Sequence, residues 1–436
     1  MLSASDNVLL TRVGPGTPMG NVMREHWLPV MQSHEIPEAD GDPVRVRLLG
    51  EDLIMFRDTS GRLGLLANSC AHRGASLFFA RNEDDGLRCV YHGWKFDVNG
   101  RCMDMPSEPD ESNFRDKIRQ RAYPCAEYGG MIWAYMGPRA TPPELPQLEW
   151  AMLPEENRTL RPFLRECNFM QALEGDIDSS HLYHLHARLN ADDPPSLGVY
   201  HEDKHPRLEV MKTDYGVVYG ANREEDENTA YWRVTQFMLP IFTLFPPSAA
   251  DGTVPGHMWV PLDDEHTMVW ILSWNPLMPM KDASPFSQIT IPSMPVGEYL
   301  PPTTQALSRW KARANATNDY EIDRERQRTK TYTGIGAIQL QDQAVVESMG
   351  GIYDRTEEHL GTSDGMIIQV RRKLIETARA LADDGVTPPC VDNPALYKVR
   401  SGAATMPKGT PWYPYMQAWL NAQTSEVMST DLVYLR

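Results

Sequence analysis

Between residues 43 and 138 the chain reads as short apolar runs set among turn formers. Residues 44–49 alternate apolar with basic side chains, and further apolar runs follow at 53–56, 63–66, 87–92 and 131–136. Gly50-Glu51-Asp52, the stretches 58–61 and 84–86, and Asn99-Gly100 punctuate them as turns. This pattern predicts a small β-domain of about 100 residues. The proline-rich 141–146 stretch then reads as a linker. Beyond it the period changes. Residues 168–186 have helical character, whereas 207–222, 231–245 and 257–274 read as strands. A second proline-rich connection covers 285–302. Two long helices are predicted after it, 305–330 with interleaved charges and 366–384 with an apolar stripe. The expected fold class is α+β, a small all-β domain followed by a larger domain of antiparallel sheet and helices. The expected boundaries are 1–26 for an N-terminal segment packing on the large domain, 27–138 for the β-domain and 139–436 for the large one.

Length and charge narrow the function classes. A chain of 436 residues suggests two or three domains at about 150 residues each. Fifty-nine acidic side chains against 42 Lys and Arg leave a net charge of −17, which repels nucleic-acid phosphates and anionic lipid headgroups. With 41% hydrophobic and 23% charged residues the composition is that expected of a foldable soluble protein rather than a disordered one. No run approaches the roughly 18–20 apolar residues that span a bilayer. The N-terminus lacks a charged start followed by an apolar core, so no membrane and a cytoplasmic location are expected. Six cysteines are too sparse for a disulfide scaffold, which turns attention to metal ligation.

Cys70-Ala71-His72 and Cys89-Val90-Tyr91-His92 form two loops, each offering one thiolate and one imidazole. Tetrahedral zinc and a [2Fe–2S] cluster with two cysteines on one iron and two histidines on the other both take such a set. Zinc fingers usually keep like ligands together in one loop, whereas these loops each mix one Cys with one His, as the two-iron arrangement requires. Gly74 and Gly93 let backbone amides approach the sulfurs.

With these residues in view, the segment from Cys70 to His92 resembles the Rieske domain of the aromatic-ring-hydroxylating oxygenases. Rieske carriers of respiratory complexes bear an additional bridging cysteine in each loop, where this chain has Ala75 and Tyr91. The resemblance implies a [2Fe–2S] cluster held by Cys70, His72, Cys89 and His92.

A second dense region runs from Glu174 through Asp176, Asp178, Ser179, Ser180, His181 and His184 to His186. Two histidines and one carboxylate with open positions hold non-haem Fe(II) for oxygen activation. On a regular helix His181 and His184 share a face, and His186 joins only if the helix is broken. The family pattern Asp-x-x-His-x₄-His instead matches Asp178, His181 and His186, leaving His184 as a neighbour or core residue. The resemblance further implies that Asp178 is no ligand but links a ligand histidine to the Rieske His92 of a neighbouring subunit. It makes Asp342, in Gln341-Asp342-Gln343, the third iron ligand, with Glu347 and Asp354 as rivals.

The resemblance extends over nearly the whole chain and is strongest to the phthalate dioxygenase branch, which acts on aromatic carboxylates. It implies a Rieske-type aromatic-ring-hydroxylating dioxygenase, the terminal component that cis-dihydroxylates a phthalate isomer, chlorobenzoate or similar benzoate. Its needs are O₂, the Rieske cluster, mononuclear Fe(II) and electrons from NADH through a separate flavin and iron–sulfur reductase. A homo-oligomer, a trimer or stacked trimers, follows from coupling between subunits. Arg207 is a candidate clamp for the substrate carboxylate, with Ser179 or Ser180 as hydroxyl partners. The apolar 237–245 strand supplies wall without charge, which favours a monocarboxylate, or a diacid whose second group is held by hydroxyls such as Ser179 or Ser180. Rival functions are a monooxygenase O-demethylating a methoxybenzoate, a Rieske electron carrier without oxygenase activity, and a zinc-stabilised binding protein.

Overall fold

A computed structural model describes residues 2–109, 111–187, 189, 205–246, 251–283 and 298–425. Most of the second proline-rich connection, residues 284–297, lies outside them. Among the described residues no helix is long and apolar enough to cross a membrane.

The first part of the chain builds three small antiparallel sheets. One joins Trp27–Gln32, Met131–Tyr135 and Cys125–Tyr128, and a second runs Val44–Leu48, Glu51–Arg57, Leu63–Ala67, Ala122–Tyr123. The third is Arg81–Glu83, Gly86–Arg88, Lys95–Phe96 and Cys102–Asp104; the Cys89 loop joins two of its strands, and the Cys70 loop lies on the connection from the second sheet to it. Packing divides this part in two. Ile54, Phe56, Leu66, Leu77, Trp94 and Phe96 form a small separate core beneath the loops. Trp27, Leu28, Trp133 and Tyr135 instead merge with the core of the large domain. Leu49 and Gly50 donate backbone hydrogen bonds to Pro261 and Leu262 at 3.1 and 2.8 Å, fastening the sheet to the large domain.

The large domain is an eight-stranded antiparallel sheet. From one edge its order is Arg158–Arg165, Thr267–Trp274, Val254–Pro261, Phe242–Leu244, Thr229–Met238, Gly216–Glu224 and Arg207–Lys212. Gly402–Pro407 pairs with residues 229–234 on the same edge that Phe242–Leu244 uses further along. Each apolar stretch read as one strand is in fact two strands joined by a turn, because polar turn residues such as Thr213-Asp214 and Asp263-Asp264-Glu265 interrupt it. The 87–92 run is shorter than expected: the strand ends at Arg88, where Cys89 leaves the ladder to bond Trp94.

Helix Phe169–Ile177 packs on the sheet with Ile338–Glu347 against it, and the outer helix Gly365–Asp384 lies on the Arg207–Lys212 and Gly216–Glu224 strands beside Ala4–Thr11 and Pro18–Arg24. The 366–384 helix is observed almost as expected, its stripe of Met366, Val370, Leu374 and Ala378 facing the core. The 305–330 helix is not formed. Its middle is drawn into extended pairing, Leu300 and Arg313 donating to Lys311 and Glu298 across the turn. Asp319, Tyr320 and Glu321 take left-handed φ near +50°, so only Arg324–Thr329 is α-helical. Interleaved charges gave this segment no apolar stripe to hold a helix against the core.

A buried four-charge network ties the site-bearing helix to the outer one. Arg371 bonds Glu174 at 2.6 and 3.0 Å and also grips Glu358, while Arg355 reaches Glu174 at 3.1 Å. Burial alone would raise the Glu174 pKa, but the two guanidiniums outweigh it and hold it below its ordinary value. Truncating one partner of such a network strands a buried charge, at a cost of about 3–5 kcal/mol. Arg371→Met is therefore expected to lower the thermal unfolding midpoint measured by circular dichroism, with an unchanged native spectrum. Because the Glu174 pKa is depressed on folding, its contribution is complete above the ordinary value of 4.5 and is lost as pH falls through the folded value. Wild-type stability should thus decline below about pH 4.5, and that part of the decline should be absent in Glu174→Gln.

Candidate functional site

The two cluster loops are built alike. Cys70 N–H donates to Ala75 O and Gly74 N–H to Cys70 O, both at 2.8 Å; Cys89 and Gly93 repeat this with Trp94 O and Cys89 O at 2.8 and 2.9 Å. The fifth residue of each turn needs left-handed φ, +74° at Gly74 and +77° at Gly93, which is why glycine stands in both. Both sulfurs are buried and unbridged. Burial, with the neighbouring Cys89, pushes the Cys70 thiol up to about 11. The imidazoles of His72 and His92 lie 4.4 Å apart by ring centroid, and His72 stacks on Trp94 at 4.3 Å.

His72 Nδ1 is buried without a protein hydrogen-bond partner, as a ligand nitrogen is before its metal arrives. Among the described residues these four donors do not gather within 4.8 Å, as the ligands of a single tetrahedral ion do. Paired sulfurs and paired imidazoles fit a two-iron cluster better than zinc.

The second set is assembled from two helices. Asn168 caps Phe169–Ile177 through Met170 N–H, and the helix stops at Asp178, which turns to φ −89°, ψ 119°. The Asp178 carboxylate accepts the backbone N–H groups of Ser180 at 2.6 Å and His181 at 3.3 Å, offering the chain a turn in place of another helical bond. A short 3₁₀ turn over His181–Tyr183 follows. The break brings His186 round to His181, their rings 5.1 Å apart, and leaves His184 exposed. Buried Gln171 bonds Val346 O at 2.9 Å and Gly350 O at 2.7 Å, pinning the first helix against Ile338–Glu347.

That pin delivers Asp342. Its Oδ1 lies 3.2 Å from His186 Nε2 and 3.7 Å from His181 Nε2, and donor atoms of the three residues all fall within 4.8 Å of one another. The rivals are elsewhere: Glu347 accepts from Glu166 N, Gln343 and Tyr320, while Asp354 sits on an exposed turn with Thr356. Burial would raise the Asp342 pKa, but His186, His181 and Arg165 bring it down to about 2, so the carboxylate is ready to ligate. Gln341 Oε1 meets His186 Nδ1 at 2.7 Å and Gln341 Nε2 donates to Ile335 O at 2.9 Å. An amide oxygen only accepts, so His186 carries a proton on Nδ1, and Nε2, on the Asp342 side, is the nitrogen placed for a metal. His181 Nδ1 approaches Asp178 Oδ2 at 3.5 Å, an ion-pair contact rather than a hydrogen bond. The chemistry of this set, two imidazole nitrogens and one carboxylate oxygen on one side, suits a divalent iron with open positions.

The three donors lie in the wall of a cavity of about 820 Å³, counting its open mouth. Ser179 lines it and accepts a 3.0 Å hydrogen bond from Arg223. Arg207 does not reach it. In the edge strand Arg207–Lys212 the even positions Leu208 and Val210 pack inward, so Arg207 faces water, 74% exposed, and pairs with Glu224. Ser180 does not line the cavity among the described residues. Fixed positive charge comes instead from Arg165 and Arg233, both buried and both lining the cavity, beside apolar Phe245, Trp259 and Ile338. The 237–245 run is apolar wall as expected, and the guanidiniums come from elsewhere in the sheet, Arg233 from earlier in the Thr229–Met238 strand and Arg165 from the end of the edge strand Arg158–Arg165. Neither arginine stood out in the sequence: Arg165 is the third arginine of its strand and Arg233 the single basic residue of its own. Gln341 was adjacent to Asp342 and carried no separate signal.

Comparison with known proteins gives two family matches, the Rieske [2Fe-2S] domain over residues 26–123 and the "LigXa C-terminal domain like" family over residues 134–433. The chain is 41% identical to a 3-chlorobenzoate-3,4-dioxygenase oxygenase subunit of Comamonas testosteroni, covering 94% of this chain and 97% of that one. It is 39% identical to a phthalate 4,5-dioxygenase oxygenase subunit of Pseudomonas putida, with 87% of each covered. A 5,5'-dehydrodivanillate O-demethylase oxygenase subunit of Sphingobium sp. matches at 33% over 91% of this chain and 85% of that one. Among solved structures, NdmB of Pseudomonas putida CBB5 aligns with a TM-score of 0.61 at 18% identity, over 88% of this chain and 97% of that one. That likeness shows the same fold.

Replacing His181, His186 or Asp342 by Ala is expected to remove about one iron of three per chain by metal analysis, while the visible absorption of the cluster stays. Gln341→Leu should retain the ligands yet weaken iron retention about 10–100-fold in a chelator competition, as loss of a ligand's orienting partner does.

Proposed function

The chain belongs to the Rieske oxygenase family, with a large domain of the phthalate dioxygenase type, and on that premise we propose that it is the terminal oxygenase of an aromatic-carboxylate dioxygenase. The observation that carries the reading is the set His181, His186 and Asp342 opening on a half-apolar cavity that also holds Arg165 and Arg233. The [2Fe–2S] cluster and the mononuclear iron of the family supply, when bound, the electron relay and the activation of dioxygen. We assign the cluster to Cys70, His72, Cys89 and His92, and the mononuclear iron to His181, His186 and Asp342. The residues around them bind, orient and exclude water. Phe245, Trp259 and Ile338 face the ring, and the buried guanidiniums neutralise a carboxylate within a chain of net charge −17. Ser179 remains a candidate polar contact.

Oxygenase subunits of this kind work with separate electron-transfer partners and oligomerise. We assign the partner here as a flavin and iron–sulfur reductase using NADH, in the cytoplasm, and the assembly as a trimer or stacked trimers. Asp178 supports the assembly: its carboxylate is 22% exposed, and among the described residues no hydrogen bond joins it to His92 of the same chain. A neighbouring copy's cluster tip, with half-exposed His92 and exposed Val90 and Tyr91, would meet it there. The domain limits we assign are 1–26, 27–138 and 139–436, and the helices Ala4–Thr11 and Pro18–Arg24 pack on the large domain.

Cis-dihydroxylation places both atoms of O₂ on adjacent ring carbons and consumes two electrons and two protons. With a reductase, NADH and ¹⁸O₂, a panel of benzoate, phthalate isomers and chlorobenzoates is expected to give a cis-diol acid carrying two labelled oxygens. The 33% identity to an O-demethylase subunit supports one second reading, demethylation of a methoxybenzoate. Formaldehyde from methoxybenzoates with no diol from any acid in the panel would establish that reading instead.

A further inference from the structure

Behind the cavity wall runs a chain of hydrogen bonds that the iron ligands do not use. Trp259 Nε1–H donates to Thr243 Oγ1 at 2.8 Å, and Thr243 in turn donates to Asp176 Oδ2 at 2.5 Å. His257 Nδ1 meets the same Asp176 oxygen at 2.6 Å. On the other side Arg165 donates to Gln339 Oε1 at 3.2 Å, and Gln339 Nε2 stands 3.4 Å from His257 Nε2. His257, Asp176, Gln339, Trp259 and Arg165 all line the cavity.

The direction of every bond in this chain is determined by chemistry. Indole N–H and guanidinium groups only donate, and an ionised carboxylate only accepts. Thr243 receives from Trp259 and must pass its proton to Asp176. The Asp176 oxygen then accepts from both Thr243 and His257, which places a proton on His257 Nδ1. Arg165 requires the oxygen of Gln339 on its side, so the amide nitrogen faces His257. An acceptor at Nδ1 and a donor at Nε2 thus flank the imidazole, and the consistent tautomer carries its proton on Nδ1 and a lone pair on Nε2. At 3.4 Å the Gln339 contact is long for a hydrogen bond and engages that lone pair weakly.

We infer that His257 is a specificity residue, accepting at Nε2 a hydrogen bond from a hydroxyl group on the ring of the substrate. The substrate class is thereby narrowed to hydroxylated aromatic carboxylates. This inference rests on the aromatic-carboxylate reading above. The register explains the division of labour: His257 lies opposite Thr243, which lies opposite Phe237, whereas Arg233 stands four residues further along the Phe237 strand. Four residues of strand span about 13 Å, so Arg233 and His257 address different parts of one bound molecule. A buried acceptor discriminates because an analogue without the donor leaves it unpaired.

Equilibrium binding to the iron-loaded protein, by calorimetry without reductase, tests this with benzoate, the three hydroxybenzoates and the three methoxybenzoates. One hydroxybenzoate isomer is expected to bind about tenfold more tightly than benzoate, and its methoxy counterpart not to share the gain. His257→Phe keeps a flat ring without the acceptor and should abolish the gain, read as the ratio of hydroxybenzoate to benzoate affinity within that variant. His257→Gln restores an acceptor oxygen and should recover part of it; His257→Leu replaces the Phe variant should that one not fold. A gain that persists in the variants lacking an acceptor, or no gain for any isomer while benzoate binds, overturns the role of His257. Failure of every benzoate to bind overturns the aromatic-carboxylate reading itself, and this inference with it.

Discussion

The turn made by Asp178 is the constraint on which the large domain's chemistry depends. Had the Phe169–Ile177 helix continued, His186 would point away from His181, and the histidine facing the same side would be His184. By accepting the N–H groups of Ser180 and His181, the Asp178 carboxylate satisfies donors that a helix would otherwise bond, and the chain turns there without leaving them unpaired. The same side chain lies 3.5 Å from the ring of His181. One carboxylate therefore both breaks the helix and stands beside the imidazole that the break positions.

Around that turn, buried polar groups hold the geometry more than apolar packing alone. Gln171 ties the two helices together, Gln341 selects the tautomer of His186, and the Glu174–Arg371–Glu358 network fastens the site helix to the outer one. Each has its hydrogen-bonding capacity met by a specific partner, and such groups penalise alternative arrangements more sharply than interchangeable aliphatic contacts do. The cluster-bearing tip is constructed on another plan. It stands on a small core of its own and holds its loops through backbone bonds repeated almost identically in both, so the geometry of its donors depends little on the large domain.

Charge is handled locally. A chain of net charge −17 disfavours an anionic ligand at long range, yet its cavity contains two guanidiniums screened from water by the sheet and helices. At short distance and low dielectric such groups act more strongly on a bound carboxylate than exposed surface charges do, which physiological salt screens over a Debye length of about 8–10 Å.

The amino-acid sequence alone determined much of this protein. Paired Cys-x-His and Cys-x-x-His loops and the succession of a short-stranded region by an α+β region were legible, because those signals are local: ligands a few residues apart, turn formers, periods of two and of 3.6; the choice of His186 over His184 beside Asp178 and His181 came only from the family pattern, since a regular helix pairs His181 with His184. The misreadings were also local in origin. Residues 305–330 lacked an apolar stripe, and Arg207 was chosen for its place in the order of the chain. Tertiary structure decided what depends on contacts between distant segments. Asp342 was separated from Glu347 and Asp354 by which helix face met the histidines, and Gln341 found His186 across 155 residues. Arg165 and Arg233 became the cavity's cations only because the sheet's register and its twofold alternation turned those two side chains inward, a choice no neighbouring residue in the sequence records.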